Sequence, residues 1–169
     1  MSRKSHLNDF KMNAEGKYIY TGAVYTLQNH KQAGVRLGLL TAFAFLSVIS
    51  SGFINAAGLN NTFYVIIPYI LEVVCLFTLC WNTVRLLWAR GKFREYVYSP
   101  VKNRIPSASL ALGIFAGLGF ICSVLFMVLH GFETKPVQCI IYLILKAADI
   151  TLAIIIYKYF PTLIWEQKN

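Results

Sequence analysis

The chain has 169 residues, 57% of them hydrophobic and 14% charged, with a mean hydropathy of +0.56 and a formal charge of +9. Soluble domains carry about 25% charged residues, so this composition excludes an ordinary soluble domain and points to a membrane protein. The positive charge does not indicate nucleic acid: it lies beside apolar runs, where topology and anionic headgroups account for it, and no separate basic groove with stacking aromatics accompanies it.

Residues 1–36 read as a polar cytoplasmic segment carrying Arg3, Lys4, Lys11, Lys17, Lys31 and Arg36. Within it, KYIYTGAVYTL at 17–27 is rich in Tyr and β-formers around Gly22. That pattern fits either a short extended segment or an interfacial stretch with Tyr at headgroup level.

Apolar spans follow at 37–54 and 63–84, making a first hairpin over 37–84, and at 108–129 and 137–157, making a second over 108–157. Each is 18 to 22 residues long, close to the roughly 20 that cross a bilayer core as a helix. Pro68 lies inside the second span, where it can bend the helix. Pro106 stands where the third is expected to begin, a favoured place for proline.

Between the hairpins, residues 85–107 form a basic loop with Arg85, Arg90, Lys92, Arg94, Lys102 and Arg104 against one acid, Glu95. Residues 158–169 make a short tail. The outer connections, NAAGLNNT at 55–62 and HGFETKP at 130–136, carry no charge beyond Glu133 and Lys135. Basic loops resist translocation, so this asymmetry places both termini and the central loop in the cytoplasm. The expected fold is an all-α integral membrane protein with four transmembrane helices, multi-pass in the plasma membrane.

Sliding the chain by 75 residues matches GKY at 16–18 with GKF at 91–93, Ala33 with Ala108, Leu37-Gly38 with Leu112-Gly113, and Phe45 with Phe120. Shared hydrophobicity does not explain the polar GK starts. Two tandem parallel-repeat hairpins are therefore expected, related by an axis along the membrane normal. The same offset carries Gly34, Gly38 and Ala42 onto Ser109, Gly113 and Gly117. Small residues every four positions let helix backbones approach closely. Helices one and three are expected to cross through Gly38 and Gly113.

Three ionisable residues lie deep in the spans: Glu72, Lys146 and Asp149. A central charge costs about 2.5–3.5 kcal/mol on insertion, whereas a Leu, Ile or Phe returns about 0.3–0.6. Lys146 and Asp149 are three apart and can pair within one helix. The 75-residue offset sets Glu72 beside Lys146 at nearly the same depth. The trio reads as a midplane cluster with three possible roles: a polar lock on helix register, a dock for a partner subunit, or a path for an ion, proton or substrate.

The leading function is a non-enzymatic accessory or scaffold subunit, acting through helix packing and intramembrane charges on another membrane subunit or on a second copy. The alternative is a small oligomeric transporter or channel that uses the Glu72–Lys146–Asp149 cluster. A lipid-modifying enzyme ranks third. His6, His30 and His130 are scattered, and no HExxH, P-loop, GxSxG or GxGxxG occurs, so no catalytic residue, cofactor or metal is assigned. His130 with Glu133 could bind a cation at the outer surface, but two ligands on a loop are a weak set and solvated loop residues are the plainer reading. Cys75, Cys80, Cys122 and Cys139 form no CxxC pair and are expected as free thiols. The basic residues of 85–107, with Trp88, Phe93, Tyr96 and Tyr98, are expected along anionic lipid headgroups.

Overall fold

A chain segment in lipid must satisfy its own backbone hydrogen bonds, and long apolar runs do so as helices. The computed structural model describes residues 10–12, 16–54, 58–130 and 136–168. Helices α1 (His30–Phe53), α2 (Phe63–Trp88), α3 (Glu95–His130) and α4 (Pro136–Tyr159) are each long and apolar enough to cross a membrane. On α1, Leu37, Thr41, Ala44, Val48 and Ser51 are buried at helical spacing, while Leu39, Phe43, Leu46 and Phe53 face outward. A helix that is apolar outside as well as inside lies between a protein core and lipid.

Both α1 and α3 pack on α2 and α4, so the two stand diagonally opposed in the bundle. This corrects the expected crossing of helices one and three. A Cβ on Gly38 would lie 3.6 Å from Leu87 Cδ1 of α2, and one on Gly113 would lie 3.3 Å from Ala153 Cβ of α4. Each glycine serves the seam inside its own hairpin, because helices joined by a short connection become neighbours. Gly34 is buried under Leu87, whose Cδ2 would sit 3.0 Å from an added Cβ. Ser109 is buried, its hydroxyl donating to the Pro106 carbonyl at 2.9 Å. Ala42 is exposed, and a Cβ on Gly117 would touch nothing within 4 Å.

The third helix starts much earlier than the prolines suggest. It begins at Glu95 and carries both Pro100 and Pro106 inside its 36 residues. The expected loop over 85–107 is therefore helical from Glu95 onward. Near Pro106 the Ser107 hydroxyl donates to the carbonyls of Asn103, at 2.9 Å, and Arg104, at 3.2 Å. These bonds reinforce the turn beside the proline, whose missing N–H leaves the Lys102 carbonyl without its helical partner. Glu95 also sits in the first turn, where a carboxylate complements the helix dipole.

The all-α expectation needs a second correction at one end of the bundle. Strands β1 (Phe10–Met12) and β2 (Tyr18–Tyr20) pair antiparallel. Strands β3 (Val24–Leu27), β4 (Lys92–Arg94) and β5 (Trp165–Lys168) form an antiparallel sheet with β3 in the middle. Tyr25 stands opposite Phe93 on one side and Gln167 on the other. The Tyr-rich stretch is thus extended. The two GK-aromatic segments fall in different sheets, since Tyr18 lies in β2 and Phe93 in β4. The sheet joins the segments before α1, between α2 and α3, and after α4 at one end of the bundle.

Local chemistry explains how the cap closes. The chain leaves α2 through Arg90 and Gly91, both at positive φ, 48° and 85°. Only the second position is a glycine, the residue that adopts this conformation without strain. Strand β4 then alternates, with Lys92 and Arg94 outside and Phe93 fully buried. Phe93 meets Trp165 edge-on at 5.0 Å and His30 at 5.9 Å. Tyr25 stacks on Tyr98 at 3.8 Å between ring centres. A hydrogen bond to the neighbouring Glu95 carboxylate raises the Tyr25 phenol above its ordinary pKa. His30 Nε2 also contacts the Leu86 carbonyl at 3.1 Å, in the last turn of α2.

Candidate functional site

Four helices contribute to one polar layer in the middle of the bundle. Two separate apolar cores lie on either side of it. The larger runs from Leu27 and Phe93 at the sheet end to Val48, Leu76 and Leu79; the smaller contains Leu59, Val65, Phe126, Met127, Cys139 and Tyr142. Between them Glu72, Lys146 and Asp149 are all 0% exposed.

Lys146 Nζ donates to Glu72 Oε2, an ion pair that ties α4 to α2. Of the two partners that the sequence offers Lys146, the ion pair forms with Glu72 on the other hairpin, and Asp149 lies beside it. The lysine chain is straddled by two aromatic faces, with Nζ 5.0 Å from the Tyr69 ring centre and 5.5 Å from that of Tyr142. A cation over an aromatic face gains from the ring quadrupole, about 2 kcal/mol when desolvated. Gly119 of α3 leaves room for the lysine stem, since a Cβ there would come within 3.9 Å of Lys146 Cε and 3.8 Å of Pro68 Cβ.

The acids are less evenly served. Glu72 Oε1 and both oxygens of Asp149 have no hydrogen-bond partner among the described residues, although Ser47, Glu72 and Lys146 all lie next to Asp149. Ser47 instead donates to the Leu145 carbonyl at 3.2 Å, tying α1 to α4. Nearer the sheet end, the hydroxyls of Thr41 and Thr83 meet at 3.2 Å between α1 and α2.

Tyr69, Tyr142 and Gly52 are the parts that sequence reasoning missed. Tyr69 precedes Glu72 by three residues and Tyr142 precedes Lys146 by four, spacings that put each ring on its charge's face of the helix. That signal was readable. Gly52 was not, because its role is to leave space: a Cβ there would collide with the Tyr69 hydroxyl, which donates to the Val48 carbonyl at 3.5 Å.

The other candidate residues lie elsewhere. Arg85 sits in the last turn of α2, and Arg90, Lys92, Arg94, Lys102 and Arg104 are exposed at the sheet end. Arg94 lies over the Tyr20 ring at 5.2 Å. His130 stacks on Phe126 at 4.4 Å and contacts its carbonyl, while Glu133 lies outside the described residues. The four cysteines are free thiols, and no group of three metal-ligating side chains occurs among the described residues.

The fold and the layer together define a bundle of four helices, each long and apolar enough to cross a membrane, around a buried charge cluster. Comparison with known protein families, curated proteins and solved structures finds no match to this chain.

Proposed function

We propose that the chain is a non-enzymatic accessory or scaffold subunit of a membrane assembly, with the charge cluster acting as an internal lock. The enclosure of Glu72 and Lys146 carries this reading. Both are fully buried, they pair with each other, and apolar cores lie on both sides. Charges held this way fix helix register and leave the outer helix faces for partners. One such face is a groove between α1 and α2, lined by Gly38, Ala42, Phe45, Cys80 and Val84. Purification in native detergent is expected to recover a membrane companion at one copy per chain. Ala42→Trp, which fills that groove, should release it, and Glu72→Gln should not. Recovery of the chain without any companion would overturn the reading.

A second reading, a small oligomeric transporter or channel, draws on the orphaned oxygens of Glu72 and Asp149 opposite a single lysine. It requires a homo-oligomer with flux in proteoliposomes that Glu72→Gln abolishes.

The orientation belongs to the same proposal. The basic end with the sheet faces the cytoplasm of a cell whose plasma membrane holds the chain, with the hairpins as a duplicated unit. Gly38 and Gly113, 75 residues apart, each face the second helix of their own hairpin, which supports the duplication. In a cysteine-free background, a cysteine at exposed Asn61 is expected to label from outside intact cells, and one at exposed Lys92 is not. Outside labelling at Lys92 would invert the topology.

A further inference from the structure

The seam between α3 and α4 has two distinct parts in line. At the sheet end is a pocket of about 430 Å³ lined by Tyr98, Lys102, Pro106, Phe160, Pro161 and Trp165. Further along the same two helices is an apolar groove of about 170 Å³ formed by Leu110, Gly113, Ile114, Ile150, Ile154 and Tyr157. Positions 102 and 106, which line the pocket, and 109 and 113, which line the groove, are spaced by four, three and four residues, so they share one face of α3. The groove therefore continues the pocket.

The chemistry changes along that face as a phospholipid's does. Lys102 Nζ donates to the Tyr98 hydroxyl at 2.8 Å. An ammonium has three donors, so two stay available at the pocket rim. Among the described residues no acid lines the pocket. Trp165 is half-buried there, the kind of residue that sits at headgroup level. From Lys102 to Ile114 the helix rises about 18 Å at 1.5 Å per residue. One leaflet of hydrocarbon is about 15 Å deep, half of the ~30 Å core. Gly113 supplies the depth of the groove, since its added Cβ would press on Ala153.

We propose that this seam is a binding site for one anionic phospholipid, its phosphate at Lys102 beside Trp165 and an acyl chain along Gly113. The inference rests on the membrane-spanning reading of the helices and is independent of the subunit role. It selects Lys102 from the six basic residues of 85–107 and excludes Arg104, which is exposed but does not line the pocket.

Trp165 reports on the site directly. Of the three tryptophans, Trp81 and Trp88 are 64% and 80% exposed, so Trp81→Phe with Trp88→Phe leaves Trp165 alone with little disturbance. The protein is reconstituted in phosphatidylcholine vesicles containing a minor fraction of acyl-brominated phosphatidylglycerol, or the same fraction of brominated phosphatidylcholine. The anionic lipid is expected to be enriched about fivefold at Trp165, the factor that one lysine at an anionic surface supplies. Lys102→Gln should abolish the enrichment while leaving quenching by brominated phosphatidylcholine unchanged, and Arg104→Gln should preserve it. Equal quenching by the two lipids in the parent would overturn the site. So would enrichment that survives Lys102→Gln, or that falls equally in Arg104→Gln, which would mark a diffuse surface charge.

Discussion

Lys146→Met is expected to destabilise the detergent-solubilised protein by about 3–5 kcal/mol, the cost of removing one partner from a buried ion pair. The substitution keeps most of the side-chain volume, so a cavity does not explain the loss. What remains is the Glu72 carboxylate, fully buried without its cation, and Asp149 beside it with no hydrogen-bond partner of its own. The contacts of Nζ with the Tyr69 and Tyr142 rings are lost as well. Adding Glu72→Gln removes the stranded charge and should recover part of the deficit. The loss is not expected to vanish, because Asp149 still faces the methionine. A double-mutant cycle by equilibrium unfolding measures the coupling, and effects that simply add would mean the two side chains do not interact in solution.

The second large effect lies at the other end of the molecule. Phe93→Ala is expected to cost about 3–5 kcal/mol, as truncation of a fully buried aromatic ring does. Phe93 is 0% exposed and touches both Trp165 and His30, so its loss loosens the contact between sheet and bundle. The damage should be local. Hydrogen exchange is expected to show β3, β4 and β5 losing protection while the middle turns of α2 and α3 keep theirs. A uniform loss along all four helices would show instead that the cap and the bundle unfold as one unit.

The four helices were readable from the chain because each is a long run of apolar residues, and such runs have one stable form in lipid. The deep charges were readable for a related reason: Glu72, Lys146 and Asp149 stand out against that background. Their partners were harder to assign. The i,i+3 spacing offered Lys146 to Asp149 and the 75-residue offset set Glu72 beside it; the folded bundle makes the ion pair with Glu72 on another helix. Tertiary packing decided between two chemically reasonable partners. The sheet was hidden more deeply. Tyr25 pairs with residues 93 and 167, and strands of three or four residues leave almost no periodic trace. Pro106 misled in the opposite direction, marking a helix start at a point that lies inside α3. The glycine stripes were real small-residue surfaces, but the pattern carried no information about which neighbour each would meet.

The central position of β3 bears on the order in which the protein is made. This strand is synthesised before any of the four helices, yet it lies between β4, which follows two of them, and β5, which follows all four. Until β4 emerges, both edges of β3 offer unpaired backbone groups, and one edge stays open until β5 arrives. Non-local pairings of this kind close late, since the intervening chain must be ordered first. The cap therefore closes last, once both hairpins are in place. It cannot be completed by a chain that stalls after the first hairpin, or by one whose second hairpin is inserted upside down. A chain with a misplaced helix keeps a bare edge on β3, an adhesive feature ready to pair with another chain.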